Sequence, residues 1–389
     1  MTEWKETTLG DICLKITDGA HHSPKEFEGG KPMFSVKNMR DQGFDYNGVK
    51  TISEEDYVKL VNSGCQPKID DILIAKDGSV MKHVFRVKGN VDYVLLSSIA
   101  IVRPDITKVN PSYLVYAIKD PSTTDLILNN FVGGSGVPRI VLKDFKKVDL
   151  TIPVIQTQKA IAETLSSLDD KIDLLHRQNL TLEQMAETLF RQWFVEEAKE
   201  DWEEGVLPDE FNFIMGQSPK GSSFNEEGIG TPMFQGNADF EFRFPKERVF
   251  TTEPTRFAQP LDTLISVRAP VGAQNMAEKE CCIGRGVAAF RYINKNEYYT
   301  YTYFKLRSLM NEIKQFNDEG TVFGSISKGD FETMKIIIPN LEFIRSFENT
   351  VKPINDKIIK NCNQIRTLEK MRDTLLPKLM SGEVSIKNN

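Results

Sequence analysis

Two stretches of this 389-residue chain place apolar residues at alternating steps of four and three. The first runs Ile161, Leu165, Leu168, Ile172, Leu175, Asn179, Leu182, Ala186, Leu189, Trp193. The second runs Phe347, Val351, Ile354, Ile358, Asn361, Ile365, Leu368, Arg372, Leu375, Leu379. Such spacing is a heptad seam. Each seam lies in some forty residues almost free of Gly and Pro, after Pro153 and after Pro339, and predicts a long helix. The preceding segments read differently. Short apolar runs such as ILIA (72–75), YVLLSSIAIVR (93–103), TLISV (263–267) and VAAFRYI (287–293) alternate with Gly and Pro, the pattern of strands and loops. A small helix is expected within each, near Pro111–Lys119 and near Tyr298–Phe316. The fold class is therefore α+β.

The chain also repeats itself. LEQMAETLF (182–190) and LEKMRDTLL (368–376) share five of nine residues at an offset of 186. The same offset aligns RIVLKDFKKVDLTIP (139–153) with SISKGDFETMKIIIP (325–339), matching Asp144 to Asp330, Phe145 to Phe331, Ile152 to Ile338 and Pro153 to Pro339. Upstream the match drifts: KPMF (31–34) answers TPMF (231–234), and DDILIAKDG (70–78) answers LDTLISVRA (261–269). A tandem duplication is implied, with domains at 1–153 and 205–339 and helical regions at 154–204 and 340–389. Two related helices in one chain pack most simply as an antiparallel coiled coil with pseudo-twofold symmetry. Charge favours this pairing, since region 154–204 stands at -7 and region 340–389 at +3. In a register where paired positions add to 540, Asn179 faces Asn361. Those two residues either fix the alignment as a buried polar pair or sit partly solvated on the surface.

Composition bounds the function. At 40% hydrophobic and 27% charged, with 25 Gly and 18 Pro, the chain is globular. No run of about 18 apolar residues occurs, and MTEWKETTLG has neither the basic nor the apolar part of a secretory signal. A cytoplasmic protein without a membrane span is expected. Five cysteines without CxxC spacing and only four histidines argue against disulfides and a zinc site. A net charge of -6 counts against nucleic-acid binding, but residues 1–153 carry equal numbers of basic and acidic side chains, so a basic face must come from local clustering. Catalytic motifs are weak. There is no phosphate-binding loop, no N/D-P-P-Y/F tetrapeptide, and Glu312-Ile-Lys314 lies about a hundred residues from Pro208-Asp209, too far to form a nuclease pattern.

The segments IMGQSPKGSSFNEEGIGTPMFQG (214–236), TLFRQWF (188–194), TLLPKLMSGEV (374–384) and, more loosely, WKETTLGDICLKITDG (4–19) carry a resemblance. With them the chain resembles the specificity subunit of type I restriction-modification enzymes across nearly its whole length. Where the second half has MGQSP, the first has ITDGAHHSP (16–24), so its opening loop is expected to be remodelled. The resemblance implies a non-catalytic DNA reader: two target recognition domains, each for one half of a split double-stranded sequence, held apart by the paired helices. It also implies two modification (methyltransferase) subunits and restriction (motor-nuclease) subunits as partners. S-adenosylmethionine, ATP and Mg would belong to those partners and none to this chain. A coiled-coil assembly scaffold, or an inactive or exchangeable specificity subunit, is the alternative.

Three loop pairs are the candidates for DNA contact. Lys37 and Asn38 follow the strand with PMF and correspond to Gln235, Gly236 and Asn237. Amide and basic side chains are the types that read base edges. The loops GGSGVPR (133–139) and EGTVFGS (319–325) offer glycine for close approach to phosphate, with Ser135, Arg139, Ser325 and Lys328 as contacts. Lys76, Lys82 and Arg268 form a third pair of loops. Each of these also reads as an ordinary solvated turn. His21 and His22 are expected in a loop, Cys281 and Cys282 in the core. Trp193 and Phe194 are expected in helix-end packing or methyltransferase contact.

Overall fold

The computed structural model describes residues 4–134, 136–268, 270–293, 295–315 and 324–386. The chain divides into two units, one of residues 1–173 with 367–389 and one of residues 174–366. Both follow one plan. In the first unit a four-stranded antiparallel sheet has the order Cys13–Asp18, Ile99–Pro104, Ile72–Ala75, Val84–Arg86. In the second the order is Phe211–Met215, Val287–Tyr292, Thr263–Ser266, Gln274–Met276. The strands ILIA and TLIS are buried at all four positions, as strands of a sheet covered on both faces should be, the second including the polar Thr263 and Ser266. A smaller sheet stands beside each: Lys31–Phe34 pairs parallel with Val94–Leu95, and Thr231–Phe234 pairs parallel with Cys281–Ile283. Cys281 and Cys282 are core residues.

The duplication extends to polar details that sequence comparison passes over. Asp71 takes both arms of Arg103 at 2.8 and 2.7 Å, and Asp262 takes those of Arg291 at 2.8 and 2.6 Å. Each carboxylate is buried, so the forked pair supplies the charge that burial would otherwise leave uncompensated. The residue before each, Asp70 or Leu261, holds a left-handed backbone with φ of 72° or 69°. Lys5–Thr8 pairs with Asp149–Ile152, and Glu203–Val206 with Lys335–Ile338. These strands carry the chain into the two long helices.

Those helices are Ile155–Arg191 and Leu341–Met380, about 56 and 60 Å long at 1.5 Å per residue. Every seam residue named above is buried or half-buried. Within the first unit Ile161 and Leu165 share a core with Leu376 and Leu379, and Arg372 donates to Asp169 at 2.9 Å. Within the second, Asn361 donates to Asn179 at 2.8 Å, and Phe190, Trp193 and Phe194 pack on Phe343 and Phe347. In both units partners add to about 540, so the two helices form an antiparallel coiled coil.

Two local departures have physical causes. The first helix closes in a wide π turn over Gln192–Glu196, with the Glu197 amide bonded to the Gln192 carbonyl at 2.9 Å. The extra residue turns Phe194 into an aromatic cluster with Trp202, Tyr301, Phe343 and Phe347. The small helix expected over 298–316 is instead two, Tyr299–Ser308 and Met310–Gln315, broken where Leu309 leaves helical geometry. Phe316 lies outside the described residues.

Candidate nucleic-acid interface

In the second unit Gly216 and Gln217, at the end of strand Phe211–Met215, donate their amides to the carbonyls of Val287 and Ile283, each at 2.9 Å. The Gly284 amide reaches the Phe234 carbonyl at 2.9 Å, the Val267 amide reaches Gly286 at 2.9 Å, and the Ile326 amide reaches Val267 at 3.0 Å. Arg268 and Ser325 are bridged side by side. Loops up to about 110 residues apart in sequence, from Gly216 to Ile326, thus form one continuous edge. A side chain could not stand at several of its positions. A Cβ on Gly216 would lie 2.2 Å from the Gly284 carbonyl oxygen, and one on Gly286 2.2 Å from that of Gln235.

The first unit builds the same edge. The Ala20 amide meets the Leu95 carbonyl at 2.8 Å, Leu96 meets Phe34 at 2.8 Å, Lys76 meets Ser98 at 3.0 Å, and Ile140 meets Lys76 at 3.0 Å, with Asp77 bridged to Arg139. Gly19 occupies the place of Gly216, with Leu95 O 2.1 Å from where a Cβ would be. The backbone step of the opening loop is therefore kept, although the MGQSP lettering is not. By these bonds Ser35 stands where the second unit has Gln235, Lys37 where it has Asn237, Asp77 where it has Arg268, Ser97 where it has Arg285, and Arg139 where it has Ser325.

The distribution of ion pairs marks the same edges. In the second unit Arg191, Arg243, Arg248, Arg291, Arg307 and Arg366 each hold a carboxylate, Arg345 bonds Tyr298, and Arg177 is also engaged. Arg256, Arg268 and Arg285 have no carboxylate partner among the described residues, and all three are exposed. Arg256 adjoins the others through its carbonyl, which accepts the Ile283 amide at 2.9 Å. In the first unit Arg40, Arg86, Arg103 and Arg372 are paired. That leaves exposed Arg139 without a carboxylate among the described residues. An unpaired guanidinium keeps its full charge for an outside anion, whereas a paired one is locally neutral.

The sequence candidates fall unevenly on these edges. Lys37, Arg139, Gln235, Arg268 and Ser325 are exposed there, and Asn237 is half-buried beside Gln235. Lys82 is exposed on the outer part of its loop. Lys328 opens the short helix Lys328–Thr333 and pairs with Glu332 at 2.7 Å. Two candidates face inward. Asn38 is buried and its Oδ1 accepts from the amide and hydroxyl of Ser35 at 3.1 and 3.2 Å, so it shapes the loop. Lys76 is buried with its ammonium 3.3 Å from both Asp18 and Asp77. Ser135 lies outside the described residues. His21 sits in its loop as expected, with Nε2 3.3 Å from Asp18, a neighbour the sequence did not suggest. Sequence reasoning missed Arg256 and Arg285. Only the second had a signal, the Gly-Arg-Gly triplet at 284–286.

No group of His, Cys, Asp or Glu suited to a metal ion occurs among the described residues, and no described helix is long and apolar enough to cross a membrane.

Comparison with known proteins gives these edges a context. A profile of the type I restriction modification DNA specificity domain matches residues 1–184 and 199–360. The sequence assigned as the MjaX type I restriction enzyme specificity subunit of Methanocaldococcus jannaschii is 29% identical over 411 residues, covering 99% of this chain and 94% of that one. The MjaIX specificity subunit of the same organism is 30% identical over 441 residues, covering 99% and 97%. Among solved structures, the S subunit of a type I restriction-modification system from M. genitalium is similar in fold, with a TM-score of 0.63 at 19% identity over 100% of this chain and 97% of that one.

Proposed function

Since the chain belongs to the type I restriction modification DNA specificity family, we propose that its two edges, whose exposed arginines have no carboxylate partner among the described residues, are the surfaces through which it reads double-stranded DNA. As a specificity subunit with two recognition domains it contributes sequence preference to a complex that is the enzyme. S-adenosylmethionine, ATP and Mg fall to the partner chains in this reading. Two methyltransferase subunits would dock on the two similar helical regions, and restriction subunits would join them.

One observation carries the reading. The two edges share a backbone ladder yet differ at the exposed side chains it carries, with Asp77 against Arg268, Ser97 against Arg285 and Arg139 against Ser325. Like scaffolds bearing unlike donors and acceptors contact unlike bases, so the target should be bipartite and asymmetric. The paired helices then act as a ruler. Inserting four residues into both at matched positions adds about 6 Å, or about two base pairs of unread spacer. The test is the methylated motif in DNA modified by the assembled methyltransferase. We expect two half-sequences at a fixed gap, the gap lengthened in the insertion variant, and one half alone altered when residues 1–153 are exchanged for another recognition domain. A methyltransferase whose sequence preference is the same with and without this chain would reduce it to an assembly scaffold.

A further inference from the structure

The DNA-reading role above leaves open which side chain touches a base, and one residue of the second domain stands apart. Arg285 projects from the tight turn Gly284-Arg285-Gly286. A Cβ on Gly284 would come 2.3 Å from Gln235 Oε1, and one on Gly286 2.2 Å from the Gln235 carbonyl. The backbone on both sides of Arg285 is thereby pressed against Gln235 and cannot drift. Its amide donates to Ser218 Oγ at 3.2 Å, and the Ser218 hydroxyl in turn donates to Gln235 Oε1 at 2.8 Å. This relay fixes the amide of Gln235, whose carbonyl end is occupied while its NH2 end has, among the described residues, only the distant sulfur of Met233 at 3.9 Å. Arg285 itself is exposed and carries no carboxylate among the described residues.

We propose that Arg285 reads a guanine in the half-target of the second domain, with Gln235 beside it on the neighbouring base. A phosphate contact needs only charge, which a flexible lysine on a mobile loop supplies. Here the backbone that carries the arginine is fixed by both flanking glycines and by its own amide, next to an oriented side-chain amide. The guanidinium fork matches the O6 and N7 acceptors of guanine in the major groove, and the free NH2 of Gln235 is a donor for a neighbouring acceptor. The first domain has Ser97 and Ser35 at these two places, so this guanine contact belongs to one half-site alone.

The proposal rests on the DNA-reading assignment, and its test separates the two. The full complex with methyltransferase is assayed on a randomised duplex library, with Arg285→Lys beside the wild type. Arg285→Lys keeps the charge and loses the fork. We expect discrimination at a single G:C pair of one half-target to fall about tenfold or more, the other half to be unchanged, and thermal stability to match the wild type. Arg285→Gln should lose the same pair and no other. Unaltered preference at every position in Arg285→Lys would overturn the proposal. So would a loss in Arg285→Gln spread evenly over all sequences with a shallower salt dependence, the signature of a phosphate contact. A wild-type complex without any preferred sequence would instead bring down the DNA-reading assignment itself.

Discussion

The two recognition domains repay comparison because they keep their sheets and change their edges. Strand order, the buried Asp–Arg fork, the left-handed residue before it and the glycine of the opening loop recur in both. These features hold the backbone, and a backbone ladder tolerates little variation. The side chains at its rim make few contacts inside, Asp77 with Lys76 and Gln235 with Ser218 among them, so they vary at small cost to folding. Divergence is therefore concentrated where a ligand would sit. The interiors differ as well. In the second unit Arg243 is fully buried, stacked 4.0 Å over Tyr303 and bonded to Glu183 of the first long helix, while Glu210 is buried against Tyr301 at 2.7 Å. In the first unit the same helix offers the partly exposed Asp169 to Arg372 and Asp170 to Lys88, and buried Tyr113 finds no hydrogen-bond partner among the described residues. The second domain is thus the more heavily committed to buried charge.

The largest test of that contrast is Glu183→Ala. Removing the carboxylate strands the Arg243 guanidinium in the core, and a loss of about 3–5 kcal/mol is expected in urea denaturation. Asp169→Ala in the first unit, where water reaches the arginine, should cost about 1 kcal/mol. Equal losses would show that burial of Arg243 does not govern. Next comes Gly286→Ala, whose Cβ would meet the Gln235 carbonyl at 2.2 Å. We expect about 1–3 kcal/mol of destabilisation and loss of recognition in the second half-target only. The equivalent of Gly286 in the first domain is Ser98, whose hydroxyl accepts the Val36 amide at 3.1 Å, so the first domain has room where the second has none.

Acidity sharpens the comparison further. Burial pushes the Glu210 carboxyl up to about 7, against the opposing pull of Lys305 and the Tyr301 hydroxyl. Burial likewise pushes Glu348 up to about 6. A carboxyl with a raised folded pKa binds its proton more tightly folded than unfolded. Its stabilisation is complete below the unfolded value and is lost as pH rises through the folded one. Between about pH 4.5 and 7 the second unit should weaken with rising pH, by on the order of 3 kcal/mol from Glu210. Glu210→Gln should remove most of that slope. A slope that survives in the variant would assign it elsewhere.

The smallest effect is expected at the seam. Asn179 and Asn361 are buried and mutually bonded, but Asn361 Oδ1 has no partner among the described residues. Replacing both by Leu should stabilise the protein by about 1 kcal/mol or less, read as a slightly higher melting temperature, and broaden the spacing of the methylated half-sites as the register loosens. An unchanged gap with gained stability would remove any aligning role from the pair.

How much of this was legible in the chain differs by kind of interaction. The helices and their seams came from spacing, because a heptad seam is a local periodicity that survives in any tertiary context, while the duplication came from identities at one offset and the antiparallel pairing from relatedness and opposite charge. The resemblance to specificity subunits came from short motifs at strand and helix ends. The candidate edge was only half visible. Arg139, Arg268 and Gln235 were picked out as loop residues of suitable type, and Lys76 and Asn38 were picked out on the same grounds although the fold turns them inward. Arg256 lies in a bend just before the strand Phe257–Ala258 and gave no sign.

What the sequence determined, then, is every property that depends on near neighbours along the chain: which segments are helical, which are strands, and that one half copies the other. Which cations remain available was decided by the tertiary structure. An arginine is free or neutralised according to whether folding brings a carboxylate to within about 4 Å of it, and Glu183 reaches Arg243 across sixty residues while no described carboxylate reaches Arg285.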